Sequence, residues 1–246
     1  MNLTCLITGA SSGIGRELAQ HYAAKGWTVY AVARSKDKLD ELSQQAGIKA
    51  VALDLTDDGA VKATAEQLQS DGVVLDLVLL NAGTCEYVDV NDLDLAAFDR
   101  TFAINFHAVV SGTKYFMPLL KASLAPKLAI VSSMAHFFPF TKAQAYGASK
   151  AATSYFTDSL RLDLAGSGIS VHLIEPGFVD TPLTQKNDFE MPFLVPVEKA
   201  AERIYRGLQA GKSRIRFPRR LSYLLKLLSL LPYNLRNSVA QRMKQQ

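Results

Sequence analysis

A tyrosine and a lysine stand four residues apart in "YGASK", Tyr146 to Lys150. If that stretch is helical, positions i and i+4 share a face, and the phenol and the ammonium project side by side. A phenol with an unperturbed pKa of about 10 is a poor acid–base at neutral pH, whereas a neighbouring ammonium favours the phenolate and brings it toward working pH. Proton transfer is the chemistry such a pair offers. The same spacing also suits an ordinary amphipathic helix with a buried ring beside a solvated charge, so the pair alone leaves both readings open. Ser132 and Ser133 lie shortly upstream, and either could simply end a strand. Asn105, in a helical pattern, reads equally well as a satisfied polar residue. His107 and His136 invite acid–base roles, but no second ligand or carboxylate stands at a telling spacing, so neither a metal site nor a triad is expected.

A second constellation lies near the start. In "TGASSGIG", Gly9, Gly13 and Gly15 form a GxxxGxG turn directly after an apolar run and before a helical pattern. Glycines there permit a tight turn and the close approach of backbone to a pyrophosphate, which then lies at the positive end of the following helix. A glycine-rich turn alone is weak. At the head of a β-α series it favours dinucleotide binding over a plain structural turn.

The elements that must position these groups follow from hydrophobic pattern. "LTCLIT", "WTVYAVA", "KAVALD", "LDLVLLN", "LAIVSS" and "ISVHLIE" read as strands, and helical periodicity fills residues 16–25, 36–46, 58–70 and 94–121. The strands are apolar continuously rather than alternately, as in a parallel sheet covered on both faces. Right-handed β-α units then give an α/β, doubly wound parallel sheet of the Rossmann kind, with ligands at the carboxyl ends of the strands. A helix over residues 197–210 and a seventh strand at "SRIRFP" complete one domain over residues 1–217. Residues 218–246 form an extension.

The whole chain sets further bounds. Its 246 residues, 48% hydrophobic and 20% charged, have the balance of a globular protein with a sizeable core. Two cysteines, Cys5 and Cys85, make no disulfide framework and suit a reducing, cytoplasmic compartment. No export signal precedes the first strand. The net charge of +4 is divided unevenly: residues 203–246 hold 11 Lys+Arg and no acid, while residues 1–202 carry an excess of acids. The basic character belongs to the C-terminal end.

These motifs, in this order over residues 3–217, resemble the short-chain dehydrogenase/reductase family in its compact form. Gly9, Ser11, Ser12, Gly13, Ile14 and Gly15 match its cofactor turn; Asp54 and Leu55 match its adenine-side loop; Asn81, Ala82 and Gly83 match the "NAG" that ends strand four. Asn105 matches the family's helix asparagine and "YGASK" its YxxxK pair. Ser133, thirteen residues before Tyr146, has the separation of the catalytic serine. Pro176, Gly177, Val179 and Thr181, in "EPGFVDTP", match the segment that closes over the nicotinamide. The resemblance implies hydride transfer between nicotinamide and a carbonyl or alcohol carbon. Tyr146 would transfer the proton, Ser133 hold the substrate oxygen, Lys150 hold the nicotinamide ribose, and Asn105 position a water linking Lys150 to solvent. A homodimer or homotetramer assembled through the helix of the Tyr/Lys pair is also implied. His136 departs from the glycine or small residue usual at its place, and either shapes the substrate pocket or reaches solvent. A non-catalytic nucleotide-sensing protein on the same fold is the competing reading, though it would be expected to have lost the Tyr/Lys pair.

The cofactor's phosphate state is an electrostatic question. An acid at the end of strand two binds a ribose 2′-hydroxyl and repels a 2′-phosphate; here Ala33 stands in that place and Arg34 follows. NADP(H) is expected over NAD(H), with Ser12 where many NADP-preferring relatives carry a second basic residue. "HFFPF", His136 to Phe140, and "FEMPFLVP", Phe189 to Pro196, occupy the segments that wall and lid the substrate in relatives, which suggests a small apolar carbonyl or alcohol. Core packing accounts for those side chains equally well. In the extension, "RRLSYLLKLLSLLP" is an amphipathic helix too short to span a bilayer. Docking on the enzyme itself, a subunit interface, and contact with a membrane surface all fit it. Nucleic acid is not an expected partner, because leucine rather than base-stacking groups separates the basic residues.

Overall fold

A computed structural model describes residues 2–187 and 190–243. Seven strands form one parallel sheet: β1 (Thr4–Thr8), β2 (Thr28–Ala33), β3 (Ile48–Ala52), β4 (Leu77–Leu80), β5 (Lys127–Val131), β6 (Ser170–Pro176) and β7 (Arg214–Phe217). Their order across the sheet is β3-β2-β1-β4-β5-β6-β7. β1 pairs with β2 on one side and β4 on the other, so the winding reverses between β1 and β4. A crevice opens at that switch point.

Neighbouring strand residues serve opposite faces. Ile7 and Leu79 join the core beneath α1 (Gly13–Ala24) and α7 (Val197–Gln209), while Leu6 and Val78 join the core beneath α3 (Asp58–Ser70) and α5 (Ala108–Lys121). Both faces are therefore buried, which is why the strands carry no polar alternation. Full burial of side chains such as Leu6, Ile7 and Leu79 contributes about 1.5–3 kcal/mol each. α2 (Lys36–Ser43) joins β2 to β3.

The helix expected over residues 94–121 is one rod in sequence but not in hydrogen bonding. α4 (Leu95–Phe102) passes into a π-helical turn, Ala103–His107, before α5 begins. Asn105 sits in that turn, fully buried. One extra residue per turn rotates the following side chains, and such turns gather at functional sites. α6 (Gln144–Asp163) carries the Tyr/Lys pair. The extension folds as α8 (Arg219–Ser229) and α9 (Tyr233–Met243), and α8 lies on the body of the protein.

Candidate active site

The glycine turn comes first, because the rest is built against it. Thr8 Oγ1 at the end of β1 accepts from the backbone N–H of Asn81 at 2.9 Å and of Ala82 at 3.1 Å, and Asn81 Nδ2 donates to Thr8 O at 3.0 Å. The ends of β1 and β4 are thereby laced together across the switch point. Gly9 turns with φ +69, and a Cβ there would stand 2.8 Å from Ala82 Cα. A Cβ on Gly15 would lie 2.3 Å from the carbonyl oxygen of Gly9. No side chain fits inside this loop. Ser12 caps α1 without a side-chain hydrogen bond to it, so the first N–H groups of the helix face the crevice uncapped. The cradle suits a pyrophosphate. Gly15→Ala is expected to force the turn open and weaken dinucleotide binding by at least about tenfold, or 1.4 kcal/mol, in a calorimetric titration.

Tyr146 and Lys150 lie in the first two turns of α6, one turn apart on one face as the spacing predicts. Lys150 is buried, its Nζ donates to Val131 O at 3.0 Å, and it stands 6.0 Å from the centre of the Tyr146 ring. Ser132 Oγ donates to Lys150 O at 2.9 Å and meets Ser154 Oγ at 2.6 Å. That hydroxyl is consumed in fastening α6 to β5. Ser133, one residue on, caps the short turn Met134–His136 by accepting from Ala135 N at 3.1 Å, and its hydroxyl hydrogen-bonds toward the Tyr146 phenol. The geometry therefore distinguishes two serines that the strand pattern left equivalent.

Burial governs the charges of the pair. It pushes Tyr146 up to about 12, opposed by the Ser133 hydrogen bond, and brings Lys150 down to about 8. The expected lowering of the phenol by the ammonium does not appear in this geometry. The lysine's hydrogen bond goes to a main-chain carbonyl, and desolvation is the largest influence on both groups.

Asn105 works behind the pair. Its Oδ1 accepts from Thr84 N at 2.8 Å, and its Nδ2 donates to Thr84 O at 2.9 Å and Ser149 Oγ at 3.0 Å. It ties the loop after β4 to α6. Gly83 lies between, where a Cβ would stand 3.1 Å from Asn105 Oδ1 and 3.3 Å from Lys150 Nζ.

A crevice of about 330 Å³ gathers most of the residues singled out from sequence. Gly9, Ser11, Ser12, Gly13, Ile14, Arg34, Leu55, Asn81, Ala82, Gly83, Ser133, Tyr146, Lys150, Pro176, Gly177, Val179 and Thr181 all line it. Three do not. Gly15 packs behind the turn, Asp54 binds Thr56 of its own loop at 2.8 and 3.0 Å, and Asn105 is buried behind the wall. Leu53, Ile104, Val131 and Leu183 line the crevice without having been anticipated. Ordinary apolar residues at strand and helix ends carry no local signal of that role.

The aromatic wall needs correction. None of Phe137, Phe138 or Phe140 is among the residues lining this crevice; they pack with Met134, Phe178 and the α8 residues Leu221, Leu225 and Leu228. Burying leucines of α8 on these rings is the larger gain, so "HFFPF" is the platform for the extension. Of "FEMPFLVP", Phe189 lies outside the described residues, Val195 is buried and bridges to Val179, and Phe193 is half exposed with φ +60. One face of α8, carrying Leu221 and Leu225, thus rests on the enzyme's own surface.

Comparison with known proteins agrees with this geometry. The family model for the short chain dehydrogenase matches residues 3–191. The chain belongs to the short-chain dehydrogenase family. An uncharacterised oxidoreductase of Myxococcus xanthus is 35% identical over 246 residues, covering 98% of this chain and 97% of that protein. Sulfoacetaldehyde reductase 2 of Chromohalobacter salexigens is 32% identical, over 73% of each chain. A solved short-chain dehydrogenase from Streptomyces avermitilis superposes with a TM-score of 0.81 over 100% of this chain and 96% of its own, at 22% identity, a likeness of fold. The protein is therefore an oxidoreductase of a family that uses nicotinamide dinucleotides.

One part of this short-chain dehydrogenase escaped the sequence reading. His136 does not line the crevice, and its side chain, 15% exposed, is held from within: its Nε2 lies 2.7 Å from Oε1 of Glu175, a carboxylate with no exposed surface. Arg216 donates to the same carboxylate from Nε at 2.5 Å and Arg214 from Nη1 at 3.3 Å, while Arg214 also pairs with Asp158 of α6. The residues are widely separated along the chain, so no spacing could have announced them. Arg216 and Lys226 lie over the Phe137 ring, at 5.2 and 5.9 Å. The network joins the turn after Ser133 to β6, β7 and α6. His107, by contrast, is exposed and meets the Phe106 ring edge-on.

Proposed function

We propose that the protein is an NADP(H)-dependent reductase or dehydrogenase interconverting a small apolar carbonyl and its alcohol. The observation that carries this reading is the convergence of Tyr146, Lys150 and Ser133 on the crevice that the glycine turn opens, with Arg34 on the same wall. When bound, NADPH supplies the hydride. The carbonyl π pair moves onto oxygen as the carbon gains hydride, so that oxygen needs a proton and a donor. Tyr146, neutral at working pH, gives its proton to that oxygen, and Ser133 donates a hydrogen bond to it. Lys150 would hold the nicotinamide ribose, and Asn105, by fixing Thr84 and Ser149, would position a water that returns a proton toward Lys150.

Arg34 is exposed at the crevice edge, where its charge is felt at Asp54. It supports NADP(H) over NAD(H). Arg34→Ala is expected to raise the KM for NADPH about 10–150-fold and leave that for NADH nearly unchanged, the loss of one charged hydrogen bond of about 1.5–3 kcal/mol. Initial rates with both cofactors check this; a clear NADH preference in the parent would overturn the assignment.

An apolar substrate is supported by the scarcity of other charge. Among the described residues lining the crevice, Arg34 and Lys150 are the cations, and a bound cofactor would engage both. An anionic aldehyde, as the name of the Chromohalobacter relative implies for that enzyme, would lack a partner here. α6 exposes Tyr155 and Leu162, which supports assembly through the helix of the Tyr/Lys pair into a homodimer or homotetramer. The free cysteines support a reducing, cytoplasmic setting. NADPH oxidation followed over a panel of apolar ketones and aldehydes tests the reading. Tight dinucleotide binding with no turnover across the panel would favour the nucleotide-sensing alternative.

A further inference from the structure

α8 is apolar on two sides, and the protein uses one of them. Leu221 and Leu225 are buried on Met134 and Phe138, beside the turn that follows Ser133. Tyr223, Leu224, Leu227 and Leu230, at i, i+1, i+4 and i+7, form the opposite face and are 70%, 47%, 64% and 81% exposed. Tyr233 and Leu235 of α9 extend the exposed apolar series. Lone surface leucines need no explanation, but this many along one short segment mark a contact surface.

The charge around this face identifies what it contacts. Arg219 and Arg220 stand exposed at the start of α8, half-buried Lys226 reaches over the Phe137 ring on the inner side, and Arg236 follows in α9 over the Tyr233 ring. No acid occurs from residue 203 to the C-terminus. A second copy docking face to face would set these cations against themselves with nothing in the segment to neutralise them. An anionic lipid surface supplies the countercharge and accepts the leucines together. No described helix is long and apolar enough to cross a membrane, so the contact is one of lying on the surface.

We propose that the outer face of α8, continued by α9, binds the protein to anionic membrane surfaces, inserting Leu224, Leu227 and Leu230 while Arg219 and Arg220 meet the headgroups. The inner face stays on Met134 and Phe138, so the bilayer lies beside the turn of the catalytic-site serine. This goes beyond the reaction above and does not depend on its substrate.

The test is flotation of the full chain with phosphatidylcholine vesicles and with phosphatidylcholine–phosphatidylglycerol vesicles. Binding is expected to the anionic vesicles, to weaken with added salt, and to fall at least about tenfold in the L224Q/L227Q/L230Q variant. Dinucleotide binding and thermal melting of the variant show that the fold is kept; if the triple variant misfolds, the single L230Q is read instead. No flotation with anionic lipid, or flotation unchanged by the substitutions, would overturn the proposal. So would a variant that only converts an oligomer to monomers in light scattering, since the face would then belong to a second copy.

Discussion

Tyr146→Phe is expected to lower kcat for carbonyl reduction by about 10²–10⁴-fold, the range that a positioned proton donor contributes. The ring stays, so the packing at the start of α6 is kept and the dissociation constant for NADPH should change little. Single-turnover oxidation of NADPH alongside a cofactor titration separates the two effects. A variant that turned over at the parent's rate would remove Tyr146 from the chemistry. The pH profile carries a sign of its own. Burial pushes the phenol up to about 12, so it remains a donor throughout the neutral range. Burial also brings Lys150 down to about 8, so its positive charge is present below that value and lost as pH rises through it. Reduction is expected to hold on the acid side and decline above about pH 8.

Glu175→Ala is expected to be a costly substitution for stability. The carboxylate is fully buried and faces His136, Arg216 and Arg214. Burial pushes it up, but the hydrogen bonds from His136 and Arg216 and the charges of Arg216 and Arg214 more than offset that, leaving it below the usual carboxylate range. Removing one partner of a buried ionic cluster typically costs about 3–5 kcal/mol, because the remaining charges lose their compensation. The two arginines are partly exposed, so about 3 kcal/mol is expected, read as a lower urea midpoint at neutral pH. Because the native pKa is depressed, the stability that Glu175 adds is present above its unfolded value and lost as pH falls through its folded one. The parent and Glu175→Ala midpoints should therefore converge in acid. Midpoints that stay equally far apart there would show that packing, not charge, explains the loss.

The same cluster separates what was legible from what was not. The glycine turn, the continuously apolar strands and the four-residue step from Tyr146 to Lys150 are local patterns. Backbone geometry converts them directly into a turn, a doubly covered sheet and a shared helix face. The parallel fold and most of the crevice follow from them, as does the placing of Arg34 after Ala33 at the end of β2. Helix periodicity also ran through residues 94–121, yet the π turn at Asn105 was invisible there. It is held by contacts to Thr84 and to Ser149 and Thr153 of α6, remote in sequence.

Only the tertiary structure chose between neighbours and partners. Ser132 and Ser133 have the same side chain at the same strand end and both line the crevice; the fold ties the Ser132 hydroxyl to Lys150 O and Ser154 Oγ and leaves that of Ser133 accepting from Ala135 N beside the phenol. "HFFPF" reads as a substrate wall or as core, and the arrival of α8 decides that Phe138 is core. His136 and Glu175 are 39 residues apart, and no period or propensity couples positions at that distance. By itself the sequence determined the fold class and the order of the site's motifs, because those rest on hydrogen bonding and burial within a few residues. Tertiary packing decided which hydroxyl is left beside the phenol, where the buried charges find partners and which face of α8 is left outside, because each depends on surfaces that meet only once the sheet is wound.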